Sequence, residues 1–209
     1  GLVGRSFLRG YPVRVIHNGI DLSVFRPTPS DFREKHGIPE NVKIVLGVAF
    51  GWGERKGLDV FVSLASRLEP DKYRIVLVGT DEKVEKELPD GIIPVRRTHS
   101  REELAAIYTA ADVFVNPTRE DNYPTVNMEA EACGTPVVTF RTGGSPENVF
   151  TGYGAVVDCG DTDGTEAAIR MICGRNEDIR DAVSEKAEVF DAAGCFDGYT
   201  ALYDGIAVK

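Results

Sequence analysis

Short runs rich in β-branched residues alternate with helical patterns along almost the whole chain, and this alternation constrains the fold more than any other feature. Strands are predicted at Arg14–His17, Lys43–Val48, Arg74–Val78, Ile92–Val95, Val113–Asn116, Pro136–Phe140 and Ala155–Val157. Most are continuously apolar rather than alternating, as expected of strands covered by helices on both faces. Helices are predicted at about Leu58–Leu68, Arg101–Ala110, Thr125–Cys133 and Thr165–Cys173. The expected fold class is therefore α/β: a single Rossmann-like domain, with a parallel sheet between two layers of helices. The run Arg26-Pro27-Thr28-Pro29-Ser30 reads as a connector, with Ser30 or Asp31 available to cap the helix that Gly37-Ile38-Pro39 ends. From Asn176 the chain is predicted to be helical with no further strand. Phe196, Tyr199, Leu202, Tyr203 and Ile206 form an apolar stripe at helical spacing, which either packs on this domain or docks on a neighbour.

A chain of 209 residues can bury one large core or two small ones, and one is the simpler reading. The formal charge of −9 argues against a broad nucleic-acid or anionic-membrane surface, which needs clustered Lys and Arg. It does not exclude a nucleotide, because backbone N–H groups and one or two cations suffice to hold a phosphate. Cys133, Cys159, Cys173 and Cys195 form no CxxC pair and no Cys/His cluster, and read as small buried hydrophobes in a reducing compartment. No apolar run approaches a membrane span or a signal-peptide core, so the default location is cytoplasmic. The opening Gly1-Leu-Val-Gly-Arg-Ser-Phe-Leu has no initiator methionine and reads as part of a longer protein.

The stretch from Asp112 to Val138 carries the most chemistry. A strand, Val113-Phe-Val-Asn, leads into Pro117-Thr-Arg-Glu-Asp-Asn-Tyr and then into a helix entered through Pro124. The helix start points free N–H groups at the crevice beyond the carboxyl end of the strand, a ready site for a diphosphate. Glu120 and Asp121 precede the helix, and Glu129 lies one helical step beyond Thr125. A carboxylate within the helix can accept hydrogen bonds from two vicinal ribose hydroxyls, and one in the loop can face an anomeric carbon developing positive charge. Equally, Glu120 and Asp121 can serve merely as helix-capping acids. Lys56 is a point cation at a helix start, and Gly143-Gly144 allows close backbone approach to an anion or simply makes a turn. Asp161-Thr162-Asp163 has a metal-binding form but sits as a capping turn between glycines. His17 and His99 read as structural hydrogen-bonding residues rather than catalytic bases, with His99 the stronger reserve. Neither a GxGxxG after a first strand nor a Walker loop is present.

The run Glu120-Asp-Asn-Tyr-Pro-Thr-Val-Asn-Met-Glu129-Ala-Glu-Ala-Cys-Gly-Thr-Pro-Val resembles the signature of the retaining GT-B glycosyltransferases of family four, group one, in which seven residues separate two acids. Asp121 and Glu129 have that spacing, and Glu120 lies one residue further out, as in the capsular and colanic-acid branch. Ile16-His-Asn-Gly-Ile-Asp, Arg55-Lys56-Gly57, Glu103-Leu-Ala-Ala-Ile-Tyr and Thr142-Gly-Gly-Ser-Pro-Glu147 match further motifs in the family order. The match spans most of residues 14–158. The resemblance implies the C-terminal, donor-binding half of a GT-B fold. Residues 1–13 would be the linker from a missing N-terminal acceptor domain, 14–190 the nucleotide-sugar-binding domain, and 191–209 a helix docking on the missing domain. It further implies sugar transfer from a nucleoside-diphosphate sugar to a glycan or lipid-linked acceptor, with no required metal and no cofactor. Asp121 or Glu120 would face the sugar. Lys56, Arg55, Thr125, Gly143 and Gly144 would border the phosphates, and Glu129 would hold the ribose. One departure is Phe50, which stands where family members commonly carry arginine. Two alternatives stay open: a nucleotide-binding module without catalysis, and a sugar-phosphate synthase or phosphorylase sharing the fold.

Overall fold

The computed structural model describes residues 3–175 and 178–207, the side chains of Ile206 and Ala207 apart. Asn176 and the Ile206 end of the predicted apolar stripe therefore lie outside the described residues. Strands β1 (Lys43–Val48), β2 (Tyr73–Val78), β3 (Ile92–Val95), β4 (Val113–Asn116), β5 (Val137–Phe140) and β6 (Ala155–Val157) form one sheet in the order β3-β2-β1-β4-β5-β6. Every pairing is parallel. The helices are α1 (Phe32–Lys35), α2 (Leu58–Ala65), α3 (Glu82–Glu87), α4 (Arg101–Ala110), α5 (Thr125–Ala132), α6 (Thr162–Cys173), α7 (Arg180–Lys186) and α8 (Ala192–Ala207). The fold is the expected single Rossmann-like α/β domain.

The strand residues alternate between two cores, one on each face of the sheet. Ile44, Leu46 and Phe114 join Tyr108 of α4 and Met128 of α5 on one face. Val45, Val113 and Val115 meet Phe61 and Leu64 of α2 and Ile169 of α6 on the other. Both faces are dry, which explains why these strands read as unbroken apolar runs. At the N-terminal end of β4, Asp112 accepts from the Arg33 guanidinium at 2.7 Å, from Lys43 Nζ at 2.9 Å and from the Ile44 N–H at 2.8 Å. That carboxylate ties the start of β4 to the start of β1 and to α1, at the end of the sheet away from the long β1 and β4 loops.

Six of the seven predicted strands form within a residue of expectation, four with the predicted bounds and two with the start moved by one residue, at Tyr73 and Val137. Arg14–His17 forms no strand. Val13 and Val15 are 59% and 73% exposed, so the β-branched side chains of this segment face no partner sheet. Among the described residues the first backbone tie to a distant part of the domain is at Ile20, whose N–H donates to the Phe190 carbonyl at 2.8 Å in an isolated bridge. Helix α3 has no apolar period, only Val84 being buried, and is set instead by its cap: Asp81 accepts from the Lys83 and Val84 N–H groups. Helix α6 begins three residues early because Asp161 caps it through the Gly164 N–H at 2.8 Å. Asp163 pairs with Arg67, so the Asp-x-Asp is a capping turn. Two cysteines depart from the buried reading: Cys159 is exposed and Cys195 half-buried. Burial pushes the Cys133 and Cys173 thiols up to about 12, which keeps them un-ionised.

Glu131, fully buried on α5, accepts from the Thr151 hydroxyl at 2.9 Å and the Phe150 N–H at 3.3 Å. Desolvation raises its carboxyl from 4.5 to about 7, against those hydrogen bonds. The native state then binds the extra proton between these values, so the contribution of Glu131 to stability is fully present below about pH 4.5 and is lost as pH rises through about 7. Glu131→Gln is expected to flatten this slope and to be more stable than the parent at pH 8, by on the order of 2 kcal/mol. Thermal melts at pH 5, 6, 7 and 8 read it directly; parallel curves for the two proteins would refute the assignment.

Candidate active site

Between β1 and β4 the strand order reverses, so the loops leaving them diverge and open a crevice at their carboxyl ends. The β1 loop carries Phe50, Arg55 and Lys56; the β4 loop carries Glu120 and Asp121. The two loops meet as an ion pair: Lys56 Nζ lies 2.8 Å from Asp121 Oδ2, with both side chains about four-fifths buried. They are also stitched by backbone, the Arg119 N–H donating to the Arg55 carbonyl at 2.9 Å, and by the Arg119 guanidinium, which forks onto Asp59 of α2 at 2.8 and 2.7 Å. Arg55, Glu120, Asp121 and Asn122 line an open cleft of about 280 Å³ beside this pair. Phe50, at the position where arginine was expected, is 96% exposed. On this loop it is Lys56 that pairs with Asp121, and Arg55 lines the same cleft as the acids.

Helix α5 starts at Thr125 with Pro124 as its N-cap, and no side chain caps it. The Asn127 N–H turns back to the Pro124 carbonyl at 3.2 Å, while those of Thr125 and Val126 before it have no intrahelical partner and are available to an anion. Glu129, one turn further on, is partly buried and accepts from the Tyr108 hydroxyl of α4 at 3.1 Å. Desolvation raises its carboxyl above the usual range, and burial pushes the Tyr108 phenol well up, so Tyr108 stays a donor. The second acid of the signature is thus held in place by a core tyrosine, a role that its spacing did not reveal.

The space over the glycine pair is filled by the protein itself. Gly143 and Gly144 make room for the protein's own backbone: a Cβ on Gly143 would lie 1.8 Å from the Asp121 carbonyl oxygen, and one on Gly144 2.0 Å from that of Asn122. Gly143 also has φ +49, in the left-handed region. Close approach was legible in the sequence, and what approaches is the acidic turn. Thr142 adds a hydrogen bond from its hydroxyl to the Arg119 carbonyl at 3.0 Å. The loop after β5 is thereby pressed against the loop after β4.

Sequence reasoning missed three asparagines beneath this junction. Asn116, at the end of β4, donates to Asn127 of α5 at 2.8 Å; Asn127 donates to Asn148 at 3.0 Å; Asn148 donates to the Pro124 carbonyl at 2.8 Å. Of the two histidines, it is His17 that approaches the acidic turn, its ring 4.3 Å from that of Tyr123 and its Nε2 3.4 Å from Glu147. The described contact of His99 is backbone only, its N–H donating to Glu103 at 2.6 Å at the start of α4. Among the described residues, no cluster of three or more His, Cys, Asp or Glu is arranged to hold a metal ion.

Comparison with known proteins bears on the family and the fold. Residues 42–174 match the family described as glycosyl transferases group 1. The D-inositol 3-phosphate glycosyltransferase of Mycolicibacterium smegmatis is 32% identical over 91% of this chain and 47% of its own length. The chain thus spans about half the length of the curated relatives it matches. Sucrose-phosphate synthase from Thermosynechococcus elongatus superposes with a TM-score of 0.83 at 25% identity, over 99% of this chain and 56% of that one. Anabaena HepE, solved with UDP and glucose, gives a TM-score of 0.77 at 20% identity over 92% and 57% of the two chains, a likeness of fold. Matched by the family over residues 42–174 and 32% identical to a curated relative over 91% of its length, this chain belongs to the glycosyl transferases group 1 family.

Proposed function

We propose that this chain is the donor-binding half of a retaining glycosyltransferase, which holds a nucleoside-diphosphate sugar and passes the sugar to a glycan or lipid-linked acceptor. The observation that carries the proposal is the meeting of Lys56, Asp121 and the uncapped start of α5 at one crevice. The diphosphate lies against the first-turn N–H groups of α5, beside Thr125, with Lys56 and Arg55 neutralising its charge as it leaves. Glu129 accepts the ribose hydroxyls. Asp121, or Glu120 beside it, faces the anomeric carbon, and Gly143-Gly144 closes the phosphate side. Chemistry of this kind is carried by fixed dipoles and side-chain charge, so the proposed donor binding is independent of metal. HepE, solved with UDP and with UDP-glucose, makes uracil the first base to try.

In the same reading, residues 1–13 lead from an N-terminal acceptor domain, and α8 docks on it. Phe196 and Tyr203, 68% and 66% exposed, are in keeping with a stripe that does not pack on this domain. Among the described residues no helix is long and apolar enough to cross a membrane. We place the protein in the cytoplasm, with any contact to the inner membrane made through the other half. The bacterial polysaccharide setting rests on the Glu120-Asp121 branch resemblance. A second acceptor class, a phosphorylated polyol or sugar, is favoured by the names of the inositol-phosphate relative and of the sucrose-phosphate synthase.

Thermal melts with UDP, GDP, ADP and their sugars, with and without a divalent cation, test the donor site. A ligand at 100 times its Kd adds about 2.7 kcal/mol, a rise of roughly 5–10 °C for a domain of this size. One nucleotide is expected to give that rise without metal, and Glu129→Ala to lose it. No rise with any of them at millimolar concentration would sink the proposal for this half on its own.

A further inference from the structure

We infer that Asn127 and Asn148 are positioning residues for the diphosphate, acting through the start of α5 rather than by touching the ligand. This rests on the donor-site reading above.

The chain of amides they belong to is buried throughout, with Asn127 and Asn148 wholly inaccessible and Asn116 5% exposed. Its direction is fixed from one end. The Pro124 carbonyl can only accept, so Asn148 must present Nδ2 to it and Oδ1 to Asn127. Asn127 must then present Nδ2 to Asn148 and Oδ1 to Asn116. At the far end the Thr139 hydroxyl of β5 donates to the Asn116 carbonyl at 2.9 Å. Every member has one partner order available, and the chain joins three elements: the end of β4, the first turn of α5 and the 3-10 turn Ser145–Asn148 that follows the glycine pair.

Pro124 is the point of application. Its carbonyl receives both the Asn127 N–H at 3.2 Å, inside the helix, and the Asn148 amide from outside it. Since no side chain caps α5, this external bond is what sets the direction of the first turn and of its free N–H groups. An anion held by several N–H groups is sensitive to their aim, because each bond weakens steeply with angle. A nucleoside, lacking phosphates, does not use them.

The test is calorimetric titration of the wild-type chain, Asn127→Asp and Asn148→Ser with UDP, GDP and ADP and with uridine, guanosine and adenosine, each variant's melting temperature being measured alongside. Asn127→Asp turns a required donor into an acceptor; Asn148→Ser shortens the side chain and unlinks Asn127 while remaining small enough to be housed. The expected result is a loss of about tenfold to a hundredfold in affinity for the nucleoside diphosphate that the wild type binds, with its parent nucleoside changed by less than about twofold. A fall in both affinities by the same factor would overturn the inference and leave a purely structural role. So would variants that bind the diphosphate as the wild type does. If the wild type binds no nucleoside diphosphate at all, the donor-site reading falls, and the inference with it.

Discussion

Asp121→Asn is expected to bind a nucleoside diphosphate more tightly than the wild type and yet to transfer sugar about a hundredfold to a thousandfold more slowly in the full-length protein. The two effects have opposite signs because Asp121 does two things in the proposed site. In the free domain it holds Lys56 at 2.8 Å and neutralises the cation that a diphosphate needs. The asparagine keeps the shape but not the charge, so Lys56 is released and the repulsion between carboxylate and phosphate disappears. A gain of several-fold, up to about tenfold, in affinity follows for a pair with this degree of burial. During transfer the same carboxylate faces the developing positive charge of the sugar, and its loss is felt only there. Lys56→Ala, by contrast, should weaken the diphosphate and leave the nucleoside alone. Titration and initial-rate assays separate the outcomes. Unchanged transfer in Asp121→Asn together with a collapse in Glu120→Gln would assign the catalytic role to Glu120 instead.

The second large effect concerns the glycine pair. Gly144 has an ordinary φ of −95, so alanine there meets no backbone strain, only the Asn122 carbonyl oxygen 2.0 Å from its methyl group. The acidic turn must move away, and Gly144→Ala is expected to cost about 3 kcal/mol, a fall in Tm of roughly 6–12 °C, with diphosphate binding lost. Gly143→Ala adds the left-handed penalty of about 1–2 kcal/mol to a similar clash. Gly160→Ala supplies the control, since Gly160 also has positive φ, at +85, but nothing lies within 4 Å of a Cβ there. It should show the strain alone and bind nucleotide normally. Equal losses at Gly143 and Gly160 would mean that close approach of the two loops is unimportant.

Much of the fold was legible because burial on both faces writes itself into the strands as runs such as Ile44-Val45-Leu46 and Val113-Phe114-Val115. The same criterion misled at Arg14–His17, where β-branched residues lie in an exposed lead-in without a sheet to join. The acids, Lys56 and the glycines were legible as motif members in a known order, yet their partners were not. Nothing in the spacing says that Lys56 pairs with Asp121, that Gly143 faces the Asp121 carbonyl, or that Tyr108 holds Glu129. These contacts join residues far apart in the chain, and a side-chain amide looks alike in the sequence whether it faces water or a buried partner. Nothing in the sequence therefore sets Asn116, Asn127, Asn148 or Glu131 apart from exposed polar residues, though all four are buried.

Asp112 gives the arrangement a further meaning. With three donors on it at the foot of β4, the carboxylate clamps the central strands at the end opposite the crevice. Lengthening or recolouring the loops at the other end leaves that clamp, and the two apolar layers, untouched. A frame anchored in this way is open to diversification: new sugars and new bases can be tried by exchanging loop residues, one at a time, without putting the domain itself at risk. The freedom has a boundary, drawn by the carbonyls that fill the space above Gly143 and Gly144. Inserts that displace those two oxygens alter the scaffold, whereas inserts that spare them alter only what it recognises.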